Sequence, residues 1–87
     1  MKIIMKPVKM ILLNDENGVL TPFRFQIRNA EKEYVTVKIE NITEKSEEKL
    51  AGNRMLIYRC QSEINGILKL FELKYEISSC KWFLYKM

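Results

Sequence analysis

Met55-Leu56-Ile57-Tyr58-Arg59-Cys60-Gln61-Ser62-Glu63-Ile64-Asn65-Gly66-Ile67-Leu68-Lys69-Leu70-Phe71-Glu72-Leu73-Lys74-Tyr75-Glu76 is the stretch that decides the fold. Asn-Gly between two apolar runs is the strongest short-range hairpin signal, because a two-residue type I′ turn needs positive φ at both central positions. The turn sets a register. With Ile64 opposite Ile67, Cys60 faces Phe71, Tyr58 faces Leu73 and Leu56 faces Tyr75, which makes one continuous apolar face. The other face pairs Arg59 with Glu72, Ile57 with Lys74 and Met55 with Glu76. A slip of one residue would set Phe71, Leu73 and Tyr75 against polar partners, so turn and pattern specify the same pairing.

Period-two alternation recurs on both sides of this hairpin. In Pro22-Phe23-Arg24-Phe25-Gln26-Ile27-Arg28 the apolar side chains fall at 23, 25 and 27. Tyr34 to Glu40 repeats the pattern with Val35, Val37 and Ile39, and the polar stretch Asn29 to Glu33 joins the two as neighbouring strands. A strand from about Pro7 to Leu13 precedes the turn-rich Asn14-Asp15-Glu16-Asn17-Gly18. After the central hairpin the chain turns back at Ser78 to Lys81, which sets Ile77 opposite Trp82 and Tyr75 opposite Leu84. Residues 43–51 depart from the alternation. Thr43 or Ser46 can cap a helix, acidic residues fill the first turn and Gly52 stops it, so a short helix or helical turn is predicted there. The fold class is therefore mainly β: an antiparallel meander of five or six strands that forms a small barrel or half-barrel with one short helix.

A chain of 87 residues, without a linker or an internal repeat, is read as a single domain, 1–87. Fifteen basic and eleven acidic side chains leave a charge of +4, a mild bias toward polyanionic partners. Lys2, Lys6 and Lys9 interrupt the apolar N-terminus too often for a signal peptide, and no run is long enough to cross a bilayer, so no membrane is expected and the cytoplasm is the predicted location.

The second half, Gly52-Asn53-Arg54 and Tyr58-Arg59-Cys60 followed by Phe71-Glu72-Leu73-Lys74-Tyr75-Glu76 and Lys81-Trp82-Phe83-Leu84-Tyr85, resembles a family of short uncharacterised β proteins of clostridial-type bacteria. The likeness runs from Pro22-Phe23-Arg24-Phe25 onward and brings no chemistry with it. The order Pro22-x-Arg24-Phe25, Tyr34-x-x-Val37, Glu72-Leu73 and Lys81-Trp82-x-Leu84 is also similar to a small actinobacterial domain sometimes attached to translesion-type DNA polymerase homologues. That similarity implies a DNA-repair setting.

Little in the composition points to catalysis. The chain has no His, which removes the commonest general base and metal ligand, and two cysteines make a poor zinc cage. In the register above, Cys60 and Cys80 lie on the order of 20 Å apart at about 3.3 Å per residue, so two free thiols are predicted. Asp15 and Asn17 supply only a fragment of a calcium loop and read as a hairpin turn. No enzyme activity, metal or cofactor is expected. Two binding readings stand. In the first, a protein-interaction module binds an unidentified protein partner or itself through its edge strand and through Phe83 and Tyr85, which alternate onto the face opposite Trp82 and Leu84. In the second, a small barrel binds nucleic acid, with Arg24, Arg28 and Lys38 as phosphate contacts and exposed Tyr34, Phe83 or Tyr85 as stacking platforms. Against the second stands an ordinary solvated strand face, since +4 falls short of a dedicated basic groove.

Overall fold

The computed structural model describes residues 1–87 and contains seven strands: β1 (Ile3–Asn14), β2 (Leu20–Arg28), β3 (Tyr34–Lys38), β4 (Asn41–Leu50), β5 (Asn53–Ile64), β6 (Ile67–Glu76) and β7 (Lys81–Lys86). Asn65 and Gly66 take φ of 52° and 77°, and β5 pairs with β6 in the register that the turn requires, from Ile64–Ile67 through Cys60–Phe71 to Met55–Glu76. The strands form one sheet in the order β3-β2-β1-β7-β6-β5-β4, curled into a half-barrel. Every pairing in it is antiparallel.

Two strands make the curl by changing partners along their length. Ile3 to Val8 of β1 pair with β7, whereas Lys9 to Asn14 pair with β2. The second change lies between β3 and β4. These occupy opposite edges of the sheet and run in the same direction, yet only Ile39 and Glu40 separate them. Residues 34–50 are thus one extended path that pairs first with β2 and then with β5. A bend of this kind is how a strand passes from one layer of a barrel to the other. It is fastened by Ser62, whose hydroxyl donates to the Lys38 carbonyl (2.6 Å) and accepts from the Glu40 N–H (3.0 Å).

The core lies between the two layers. Phe25, Val37 and Ile39 pack against Tyr58, Cys60, Phe71, Leu73, Trp82 and Leu84. Phe25 meets Phe71 edge-on at 5.7 Å between centroids, and the Tyr58 hydroxyl donates across the layers to the Leu20 carbonyl at 3.1 Å. No helix of the chain is long and apolar enough to cross a membrane.

Four sequence expectations are corrected. Residues 43–51 are not helical: β4 runs to Leu50, and Ala51 and Gly52, with φ of 50° and 82°, form a second two-residue hairpin turn. A helix here would have almost no apolar stripe to bury, whereas the strand completes the β5 ladder and gives Arg54 and Arg59 carboxylate partners in Glu47 and Glu44. That strand and the break at Ile39–Glu40 bring the count to seven rather than five or six. The last hairpin turns at Ile77 to Cys80, so Tyr75 faces Trp82 and Leu73 faces Leu84. Ile77 does not pair with β7; its N–H donates to the Arg54 carbonyl on the β5 side (3.2 Å), and both arms shift by one residue, which keeps the same side chains inside. Finally, Phe23 does not share the face of Phe25. The β1–β2 register slips between Ile11 and Leu12, Pro22 turns inward, and Phe23 becomes a bulged residue, 49% exposed.

Candidate nucleic-acid interface

Because Phe25 and Val37 point into the core, alternation turns Arg24, Gln26 and Arg28 of β2 and Thr36 and Lys38 of β3 outward. The register then fixes their neighbours. Arg24 lies directly opposite Lys38, Gln26 opposite Thr36, and Arg28 opposite Tyr34. On the other side of β2, Lys9 stands opposite Gln26 and Ile11 opposite Arg24. The three residues singled out from the sequence share this one face, with Arg28 about 13 Å along β2 from Arg24 at the usual strand rise.

Tyr34 organises one end of it. The Lys9 ammonium sits 4.2 Å from the ring centroid and the Arg28 guanidinium 4.9 Å, and 43% of Tyr34 remains exposed. Hydrogen bonding from Arg28, followed by that from Lys9, holds the phenol below its usual pKa. The Lys6 ammonium donates to the Arg28 carbonyl at 2.5 Å, and a recess of about 330 Å³ opens among Lys6, Lys9, Gln26, Arg28 and Tyr34. Phe23 presents a second exposed aromatic at the other end, beside Arg24. Sequence reasoning missed Lys6, Lys9 and Phe23. Lys9 could have been found from the period of β1, but Phe23 could not, because nothing local announces the bulge.

Charge is distributed unevenly between the two layers. β1, β2 and β3 carry five basic residues and no acidic one, because Asp15, Glu16, Glu31 and Glu33 all fall in the connecting turns. The ion pairs lie elsewhere: Arg54 with Glu47, Arg59 with Glu44 and Glu72, and Lys74 with Glu48. Lys6, Lys9, Arg24, Arg28 and Lys38 engage no carboxylate.

Phe83 and Tyr85 do face outward, but both are half-buried. Lys74 lies across Tyr85 at 3.7 Å from the ring centroid, is itself buried, and reaches Glu48 at 2.9 Å. This surface is covered by the protein's own side chains.

Neither cysteine forms a disulfide; Cys60 is buried and Cys80 exposed. Burial, with a smaller contribution from the Glu72 charge, pushes the Cys60 thiol up to about 12, which suits a core residue rather than a nucleophile. Asp15 caps its turn by accepting from the Asn17 and Val19 N–H groups, both at 2.9 Å. No three His, Cys, Asp or Glu side chains converge on a point that could hold a metal ion. No protein-family model matches the chain, and no curated protein or solved structure matches it.

Proposed function

We propose that the protein is a non-enzymatic binding module that holds single-stranded nucleic acid against the outer face of β1, β2 and β3. The observation that carries this reading is the set of five basic side chains on three adjacent strands with no acidic residue among them. Arg24 and Lys38 would hold one phosphate and Lys9 and Arg28 another, while Lys6, which stands opposite the buried Leu84 on the other face of β1, reaches round to hold the Arg28 carbonyl. Tyr34 and Phe23, at opposite ends of the β2–β3 ladder, would each stack a base. Two free thiols, one of them exposed, suit a reducing compartment, so the reading is of a cytoplasmic protein.

Salt tests it. Four phosphate contacts on a single strand give a slope of about −2.8 in log affinity against log salt, or roughly a fiftyfold loss between 50 and 200 mM. In a nitrogen-labelled NMR titration with a short oligothymidine, the amides of residues 24–28 and 34–38 should shift at 50 mM salt and recover at 200 mM. No shift at low salt would remove the reading.

A specific observation also favours a second reading, a protein-interaction module. β7 pairs with β6 only from Glu72 onward, which leaves the backbone edge of Ile67 to Phe71 free, and Ile67, Leu68 and Leu70 beside it are exposed. An edge of this kind accepts an extended strand from another chain. Light scattering across a hundredfold concentration range tests the self-association form of this reading. A monomer throughout would leave only a different protein as partner.

A further inference from the structure

A second concave feature lies on the other side of β1, away from the basic face. β1 leaves β7 after Val8, which is opposite Trp82, and crosses to β2. Where the two strands separate, a cavity of about 480 Å³ opens at the mouth of the half-barrel. Met10, Leu12 and Leu20 form one wall and Tyr75 and Trp82 the other, the two rings tilted at 44° with centroids 4.9 Å apart. The volume falls within the range of small-molecule sites, and barrel mouths are among the usual places for them.

The polar groups at the rim narrow the ligand class. Lys81 is the only charged side chain in the lining, and no carboxylate lines the cavity. Lys81 makes no ion pair. Glu76, its cross-strand neighbour, has one carboxylate oxygen engaged by Asn53 (2.9 Å) and the other by the Ser79 hydroxyl. The Glu76 carboxylate feels the Lys81 charge across the strand pair without bonding it, so the ammonium has donors open to a guest, beside an apolar slot closed on one side by two aromatic rings.

We infer that the mouth of the half-barrel binds a small planar aromatic anion, with the ring system between Leu12 and Leu20 and the Trp82–Tyr75 wall and the anionic group on Lys81. This inference is independent of the outer basic face, because none of the cations of that face lines the cavity.

Trp82 is the sole tryptophan, so its indole N–H gives one unambiguous NMR signal inside the site. The labelled protein is titrated with naphthalene-2-carboxylate and, separately, with the neutral naphthalene-2-methanol. Both should move the Trp82 indole signal and the Leu12 and Leu20 methyl signals to saturation. The carboxylate should bind about tenfold more tightly, the size of one charge-assisted hydrogen bond. Lys81→Met should abolish that preference and leave the alcohol's affinity unchanged. Leu20→Phe, which fills the slot, should weaken both ligands, with an otherwise native amide spectrum showing that the fold survives. The inference is overturned if millimolar ligand leaves the Trp82 indole signal in place, if the shifts gather at Ile67–Leu70 instead, or if the two ligands bind wild type equally well.

Discussion

Ser62→Ala is the substitution that most directly tests how the half-barrel is held. The Ser62 side chain is 1% exposed, and its hydroxyl makes both hydrogen bonds that pin the bend between β3 and β4. Removing it deletes two hydrogen bonds worth about 1 kcal/mol each and leaves the Lys38 carbonyl and the Glu40 N–H to find new partners. Glu40 is exposed and can recruit water, which limits the additional penalty, so the expected loss is about 2–3 kcal/mol. An 87-residue domain has a total stability of roughly 4–13 kcal/mol, so this loss is large. Urea denaturation followed by Trp82 fluorescence should show a lower midpoint with an unchanged slope, and the Glu40 amide should exchange faster with solvent. Ser46→Ala, on the exposed edge strand, is the control and should stay within about 0.5 kcal/mol. A Ser62→Ala loss no larger than that control, with Glu40 exchange unchanged, would refute the idea that this hydroxyl fastens the bend.

Ala51→Gly should stabilise the protein by about 0.5–1 kcal/mol in urea unfolding, because Ala51 is held at φ 50° where a Cβ is unfavourable; a helix through this segment would respond with the opposite sign. Alkali should unfold the protein from about pH 9 upward. Cys60 and Tyr58 are both pushed up to about 12, from 9.0 and 10.0, mainly by burial, so the unfolded chain releases protons that the folded one retains. Their contribution is complete below pH 9 and drains away toward pH 12, at up to about 1.4 kcal/mol per pH unit for each group. In Cys60→Ala the onset of the pH-dependent loss should move to about pH 10, and circular dichroism across a pH series would show whether it does. Lys38→Glu should raise stability by about 0.5 kcal/mol, since it replaces a like-charge pair with an attractive one opposite Arg24, while weakening oligothymidine binding at least tenfold in fluorescence anisotropy. A variant that loses stability, or that binds as wild type does, would contradict that account.

What could be read from the sequence and what could not divides along a physical line. The β5–β6 hairpin was legible to the residue because Asn65-Gly66 admits one turn geometry and because a slip would have turned Phe71 and Leu73 to solvent. β2 and β3 were legible for the same reason, and Arg24, Arg28 and Lys38 with them, since alternation around Phe25 and Val37 decides which side chains face out. Residues 43–51 were misread because their local preferences favour a helix, and only the vacant edge of β5, a partner distant in sequence, makes them a strand. Phe23 was misassigned because a bulge is a property of two strands together. Lys9 joins the basic face only through the partner change of β1, and the cavity at Trp82 exists only where that change separates β1 from β7. The parts that escaped the sequence are those set by strand order.

The net charge of +4 conceals how the charge is arranged. On β4, β5 and β6 four of the six strand carboxylates, Glu44, Glu47, Glu48 and Glu72, are in ion pairs. That layer is close to neutral by construction. On β1, β2 and β3 nothing offsets the cations, and Arg24 and Lys38 stand directly opposite each other, an arrangement that costs the free protein a few tenths of a kcal/mol or more. Lys9 and Arg28 converge on the single Tyr34 ring, which attracts both but neutralises neither. Folding requires none of this. Either member of the Arg24–Lys38 pair could be acidic and would then face an opposite charge, as Arg59 faces Glu72 in the other layer. Such repulsion between neighbouring cations is relieved when an external polyanion lies across them. The uncompensated cations of this face are the feature on which the proposal of a polyanionic partner rests.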